Sequence, residues 1–411
     1  MRWASVIPGP EARRRTVVTL VFIAFCVLLK LPTLGFPHNE GDEVIYWELT
    51  ENLVSSGRYS LEGTEVLGRL SPHIYDRPLF HHPPLFALLL APFVLIQSQS
   101  GAVVVSWLGH VLCIAGVALL GTAIADYRKL PSRPLSTYFI LPLLGVTLDP
   151  FLTFVSRKLW LDGVLAGLVT LSVALCFRST QSKREGPLAI AAGATLGLAI
   201  LVKISALVIC PVLIFIVVYY ARNWRQTGRL LLRGALTAIA LVSPWFIVFY
   251  AEFGTLMPSW FYPDAWLIET NPFVRKIVTL PLYYYPVQLV LLQPLVLVLA
   301  FACVVGTREI DRRTARLALI WMGSFLLVMT LMGMRGLGYQ TRYLSAAYPS
   351  MYVMLFSLRT EPDTVEVRWS WLLALLCIIY AGINGALFLV IPEADEISSV
   401  LELLGIVSVE K

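Results

Sequence analysis

Apolar runs of bilayer length recur along almost the whole of this sequence, and that property alone removes most soluble architectures from consideration. A hydrocarbon layer of roughly 30 Å takes about 20 apolar helical residues to cross. Runs of this kind lie near 16–36, 101–125, 135–152, 159–177, 187–202, 205–221, 234–251, 284–305, 316–334, 342–358 and 369–391, parted by charged or Pro- and Gly-bearing turns. A spanning segment must satisfy its own backbone hydrogen bonds, so each run is read as a helix. With 57% hydrophobic and 14% charged residues over 411 positions, the chain is expected to be an all-α polytopic membrane protein of about eleven transmembrane helices.

The Lys and Arg residues orient it. EARRRT at the start, YRKLPSR (127–133), RSTQSKRE (178–185), ARNWRQTGRLLLR (221–233) and TREIDRRTAR (307–316) all fall on one side of the expected bundle. Short basic loops stay cytoplasmic, which predicts a cytoplasmic N-terminus in a plasma (inner) membrane. The formal net charge of +6 is therefore a topology signal and implies no nucleic acid partner. The first apolar run carries no small-residue cleavage site and is expected to be retained. Cys26, Cys113, Cys176, Cys210, Cys303 and Cys377 all sit in expected spans, so neither a disulfide framework nor a thiolate metal site is expected. No fixed repeat is visible, and residues 1–391 are read as one transmembrane domain followed by a short extracytoplasmic tail, 392–411.

Two outer segments, 37–100 and 252–283, exceed what a connection needs and are expected to carry function. The first opens on HNEGDEVIYWE, a run of carboxylates directly after the first crossing. Within it EVIYWELTENLVSS reads as an interfacial helix, with Asp42 as a possible N-cap residue by type and Gly57 as its stop. PPLFALLLAPFVLI (83–96) begins on proline and is short for a crossing. The two helices would wall a cavity open to the outside.

Further charges are set in or beside spans: Asp149, Arg157, Lys158, Asp162, Lys203, Arg335 and Arg342. Charge at this depth is costly and normally faces a cavity or a partner. Several cations at an outer rim suit a phosphate whose lipid tail lies in the bilayer. A carboxylate nearby suits a general base, acting on a hydroxyl or amine that attacks the sugar carbon bearing that phosphate. Each residue also has a structural reading. Asp42 can cap a helix, Tyr46 can anchor one at the interface, Arg157 and Lys158 can meet lipid headgroups, Asp149 can form a turn, and Asp162 can pair with Arg157 or Lys158. His81 and His82 lack the further ligands that zinc needs. A transporter or lipid flippase would also embed charges, but would show two related halves, which this sequence does not.

The set GDEVIYW, HHPPLFALLLAPF, RKLWLDGVLAG, LVKIS, SPWFIVFYAEFG and RYLSAAYPSMYVML resembles, in order and spacing, the polyprenyl-phosphate-sugar-dependent glycosyltransferases of the GT-C superfamily. The likeness is to the family-39-like group, which includes protein O-mannosyltransferases and the lipid A aminoarabinose transferase. That resemblance implies an inverting transfer from a polyprenyl-phosphate-linked sugar to an extracytoplasmic acceptor, on a protein, glycolipid or cell-wall glycan. It implies Asp42 of the Asp42–Glu43 pair as the catalytic base. Lys203 and Arg342 would hold the donor phosphate, with Arg157, Lys158 and His82 as further candidates. Asp162 and Tyr46 would contact substrate. No cofactor is expected; Glu40 and Asp42 are the pair that would suit Mg²⁺ or Mn²⁺ if a metal were used. Many relatives carry a further soluble domain, and none is expected here.

Overall fold

The computed structural model describes residues 10–38, 41–66, 79–129, 137–256, 281–299, 311–334, 341–358 and 365–391. Its regular elements are helices. The first, α1 (Pro10–Lys30), leads through a 3₁₀ turn at Leu31–Gly35 to α2 (Asp42–Ser56) and α3 (Leu85–Leu95), the two helices expected in the first outer segment. Then come α4 (Gln99–Arg128), α5 (Thr137–Thr147), α6 (Pro150–Ser156), α7 (Leu161–Gln181) and α8 (Glu185–Val202). A 3₁₀ segment, Ile204–Ile209, precedes α9 (Cys210–Tyr220) and the long α10 (Trp224–Phe253). The chain closes with α11 (Tyr284–Leu292), α12 (Arg312–Met334), α13 (Pro349–Leu355) and α14 (Val365–Val390).

Seven of these helices are long and apolar enough to cross a bilayer, and an eighth crossing is made if α5 and α6, bent by 43°, count as one span. Their outward faces carry large aliphatic side chains, among them Leu20 and Val21 on α1, Ile239 and Ile247 on α10, Leu327 on α12 and Ile383 on α14. Such a continuous apolar exterior is suited to lipid and not to water. The chain is a multi-pass membrane protein.

Three expected crossings take other forms. Ile204–Tyr220 is a shorter apolar element begun as a 3₁₀ turn. The run from 284 is interrupted at Gln293, which leaves helical geometry ahead of Pro294. The run 342–358 is divided into a 3₁₀ turn at Thr341–Leu344 and α13, which starts on Pro349 and is buried along its whole length against α12, α5 and α4. Proline removes a backbone donor and restricts the residue before it, so apolarity alone does not make a continuous helix here. Conversely, α10 begins ten residues before its expected start at 234, because Asn223 caps it by accepting from the Gln226 amide at 2.9 Å. Much of the second outer segment, the tail 392–411, Cys303 and Arg335 lie outside the described residues.

Close helix approach sets the frame. Gly109 of α4 faces Gly163 of α7 so tightly that a Cβ on Gly109 would fall 2.0 Å from the Gly163 carbonyl oxygen. Gly163 and Gly167 form a small-xxx-small pair, the arrangement that lets two helix backbones meet inside a membrane. This crossing holds the start of α7, and with it Asp162.

Buried polar groups tie the broken helices together. Asp149 caps α6 by accepting from the Leu152 amide at 2.7 Å and also receives the Tyr352 hydroxyl of α13. Tyr352 in turn accepts from the Gln293 amide at 2.8 Å. Lys30, 2% exposed, donates to Ser156 at 2.6 Å. Asp149 is therefore a cap, as its place before proline suggests, and also the joint of three helices.

Substituting Gly109 by Ala should cost about 1–3 kcal/mol through overpacking, read as a lower melting temperature in detergent. Gly109→Leu should yield no monodisperse protein by size exclusion.

Candidate active site

Asp42 opens α2 as its first helical residue. The N-cap position belongs to Gly41, whose φ of 53° suits glycine, so the capping role considered for Asp42 is not the one it takes. Its carboxylate instead accepts from the Arg342 guanidinium at 2.5 Å, 300 residues away in sequence. Arg342 sits in the 3₁₀ turn at Thr341–Leu344 and is 4% exposed; its Nε lies 3.8 Å from the second oxygen of Asp162. The first oxygen of Asp162 accepts from Lys203 at 2.8 Å. Lys203 stands where α8 ends, in extended backbone before the next 3₁₀ segment, so its side chain leaves the helix bundle sideways toward α7.

The result is one alternating chain, Asp42–Arg342–Asp162–Lys203, drawn from four separate elements. Two aromatic rings line it: Arg342 lies 4.1 Å from the Trp160 ring, and Lys203 4.1 Å from that of Tyr343. A guanidinium over a ring and an ammonium over a ring each gain quadrupole attraction, largest where water is excluded. Asp162 and Arg342 are nearly inaccessible, and Lys203 is 13% exposed. Asp42, at 37%, is the member that reaches solvent. A catalytic or binding partner entering from outside meets this carboxylate first.

Glu43 has a different place from its neighbour. It is 1% exposed and accepts from the Leu159 amide at 2.9 Å and from His38 Nδ1 at 2.8 Å, with Lys158 3.9 Å away. It pins the first turn of α2 to the loop before α7 and is closed off from solvent. Lys158 reaches the cluster only indirectly, lying 5.5 Å from the Trp160 ring that also carries Arg342. Arg157 does not join it. That guanidinium is fully buried and donates to the carbonyls of Phe388 and Ile391, 2.9 and 2.7 Å away, closing the C-terminal end of α14. Neither residue pairs with Asp162, which takes Lys203 and Arg342.

Tyr46, one turn after Asp42, is buried against Phe86 and the edge of His82 and so is a wall of the site instead of an interface anchor. Burial, followed by the nearby Asp42, keeps its phenol protonated. Burial also depresses both histidines. His81 is lowered to about 3 against the pull of Asp42, and His82 is held well below its ordinary value by burial, with His81, Lys203 and Arg342 adding to it. Both rings are neutral at physiological pH. Among the described residues no group of three or more His, Cys, Asp or Glu is arranged to hold a metal; Glu40 is outside them.

Sequence reasoning missed the residues that line the ion pairs. Trp160 and Tyr343 lie inside motifs that were read for their charges, and His38 precedes the acidic run. Their signal was adjacency to charge, which does not say which ring will lie under which cation.

Asp162→Asn leaves two buried cations facing each other and should destabilise the protein by about 3–5 kcal/mol. Asp42→Asn, at a partly exposed pair, should cost at most about 1 kcal/mol; denaturation in detergent measures both. Because the folded state holds His81 below its ordinary value near 6.5, its neutral form contributes stability above pH about 6.5 that is lost as pH falls toward 3. The melting temperature should drop between pH 7 and 5, and His81→Asn should flatten that drop.

Residues 80–333 match glycosyltransferase family 87. No curated protein shows a significant sequence match to the chain. Among solved structures, ArnT from Cupriavidus metallidurans bound to undecaprenyl phosphate superposes with a TM-score of 0.61 at 17% identity, over 89% of this chain and 64% of that one. The apo ArnT gives 0.59 at 15%, over 92% and 75%. The Archaeoglobus fulgidus oligosaccharyltransferase tethered with an acceptor peptide gives 0.51 at 15%, over 91% of this chain and 55% of that one. The chain thus spans under two thirds of the undecaprenyl-phosphate-bound ArnT. These likenesses are of fold, and they are to GT-C structures, as the motifs led one to expect. Asp162 and Lys203 fall inside the family match, whereas Asp42 and Arg342 flank it. With the matched segment covering well over half of the sequence, the chain belongs to glycosyltransferase family 87 and has the GT-C fold.

Proposed function

We propose that the protein transfers a sugar, with inversion, from a polyprenyl-phosphate donor to an acceptor hydroxyl or amine on the extracytoplasmic side. The observation that carries this reading is the single chain Asp42–Arg342–Asp162–Lys203: an accessible carboxylate and two sheltered cations share one mouth. The fold shared with an ArnT bound to undecaprenyl phosphate supports the class of donor. The basic ends Arg178, Arg225, Arg229 and Arg312 lie at the far ends of the helices that bring Asp162 and Lys203 together, or on the helices packed beside them; this supports an outward-facing site in a plasma membrane. Residues 1–391 act as the catalytic domain, with 37–100 and 252–283 as its outer segments.

In the unliganded site each cation is already engaged by a carboxylate. An arriving donor phosphate competes with Asp42 for Arg342, because a planar guanidinium favours phosphate oxygens in a forked contact. Asp162 keeps Arg342 and Lys203 in position during that exchange. Released from its partner, the Asp42 carboxylate is free to accept the acceptor's proton. The acceptor oxygen or nitrogen then forms a bond to the anomeric carbon from the face opposite the phosphate. The carbon–oxygen bond to phosphate breaks, its electron pair stays on the phosphate oxygen, and the proton passes to Asp42. Arg342 and Lys203 meet the added negative charge on the leaving group, which makes their contribution greatest in the transition state. His82, neutral beside them, offers a hydrogen bond without repelling a cation. Glu43 and Arg157 serve as positioning residues in this scheme.

Asp42→Asn in membranes supplied with polyprenyl-phosphate sugars should lower transfer by about 10²–10⁴-fold, with the variant still folded by size exclusion. Retained transfer by the folded variant would remove Asp42 as base. Lys203→Met should lower kcat/KM for the donor, with the loss falling chiefly on kcat, and unchanged donor kinetics would remove Lys203 from the phosphate site.

A further inference from the structure

Between α6 and α7 stands a residue that carries no charge and has no step in the scheme above, yet touches the cation on which that scheme turns. The Arg342 guanidinium lies 4.1 Å from the Trp160 ring, whereas the Tyr343 ring is 5.6 Å from Arg342 and 4.1 Å from Lys203. Each cation of the site therefore has its own ring. Three neighbours hold Trp160. Its amide donates to the Lys158 carbonyl at 2.8 Å, its carbonyl accepts from the Ser106 hydroxyl of α4 at 3.1 Å, and its ring meets that of Phe154 of α6 edge-on, with centroids 5.2 Å apart. It immediately precedes the turn of α7 that glycines lock against α4. The indole N–H is buried and has no hydrogen-bond partner among the described residues, so within the protein the ring is the part in use.

The ring matters because Arg342 has to change partners. In the unliganded structure its Nη2 is held by the Asp42 carboxylate at 2.5 Å. Donor phosphate then takes that place, and Asp42 leaves. The nearest described contacts of Arg342 that this exchange leaves intact are the Trp160 ring and the second oxygen of Asp162, 3.8 Å from Nε. At that distance Asp162 is beyond an ordinary hydrogen bond, and its other oxygen is engaged by Lys203 at 2.8 Å, so it attracts the guanidinium without fixing its direction. A forked contact with phosphate is directional, since two N–H groups must meet two oxygens together. A ring against the guanidinium restrains where the fork can point. The attraction between cation and ring is greatest where water is excluded, and Arg342 is nearly inaccessible.

We propose that Trp160 is a positioning residue for donor recognition, whose ring keeps the Arg342 guanidinium in place while Asp42 is exchanged for the donor's phosphate. The inference rests on the reaction proposed above, in which Arg342 meets that phosphate. Trp160 acts through Arg342 and takes no part in bond making. Its supports come from α4, α6 and the Lys158 carbonyl, and none of them from α2, the helix that carries Asp42. The cation therefore keeps one fixed support whether a carboxylate or a phosphate stands opposite it.

The test uses the full-length chain carrying mono-, di- or trifluorinated tryptophan at position 160 alone, which weakens the negative face of the ring at nearly constant shape, beside Trp160→Phe and Trp160→Leu. Two quantities are read: the Kd for undecaprenyl phosphate, whose phosphate bears the charge of the leaving group, and kcat/KM for transfer from a polyprenyl-phosphate sugar. The Kd should rise with each fluorine to about ten-fold for the trifluorinated ring, the size of a cation–ring contact sheltered from water. The donor kcat/KM should fall in parallel. Trp160→Phe, which keeps a ring but no N–H, should stay within about three-fold of the native chain, and Trp160→Leu should lose about ten-fold. A flat fluorine series, or a Trp160→Phe as defective as Trp160→Leu, would overturn the proposal. The fluorinated chains decide the matter even where Trp160→Leu does not fold. Transfer by the native chain with a flat series removes the role of Trp160 and leaves the reaction standing. Binding that follows the series without any transfer does the reverse, and a native chain that neither binds undecaprenyl phosphate nor transfers sugar removes both.

Discussion

The site depends on one buried carboxylate. Asp162 offers an oxygen to each of two cations that come from separate elements of the chain, and without it Lys203 and Arg342 would repel one another across a few ångströms of low-dielectric space. Sheltered ion pairs are poor sources of net stability, because removing two charges from water costs about as much as their attraction returns. What Asp162 supplies is position. It holds both cations at a defined place before any ligand arrives, the condition under which electrostatic stabilisation of a leaving group needs little reorganisation.

That position is itself inherited from packing. The first turn of α7 cannot shift, because its glycines are in backbone contact with α4, and the break in the α5–α6 span is fastened to α13 through Asp149 and Tyr352. Lys203 emerges where α8 stops, and Arg342 where the expected helix at 342–358 fails to form as one piece. Each cation is delivered by an interruption of regular structure. Irregular backbone at membrane depth is tolerated only where protein or a cavity satisfies it, so these interruptions and the site occur in the same place for the same reason.

Much of this was legible in the residues. The helical membrane architecture and the two outer-segment helices follow from apolar runs and turn signals, the meeting of acids after the first span with cations late in the chain from charge placement, and the glycosyltransferase family from the resemblance carried by motif order. Partner choice was less legible. Asp162 was offered Arg157 or Lys158, its near neighbours, and took residues 41 and 180 positions away instead. Arg157 was read as a phosphate ligand on its charge and location, whereas it spends its hydrogen bonds on the carbonyls that end α14. Local sequence reports that a buried charge must have a partner, and says little about which of several distant elements will bring it. Helix continuity failed at Pro349 and Pro294 and was extended at Asn223, because hydropathy records depth in the membrane and carries no record of where a backbone donor is missing or a cap supplied.

The two halves of the mouth are mounted differently. Asp162 belongs to the glycine-locked core, but Asp42 rides on α2, a helix outside the bundle that is secured at its start by Glu43 and along its length by α3. Sequence change in the outer segment can therefore reshape the carboxylate side of the cluster while leaving the cation-bearing side untouched. Under the reaction proposed above, a fold divided in this way can diversify its acceptors over evolutionary time and still keep one kind of activated sugar.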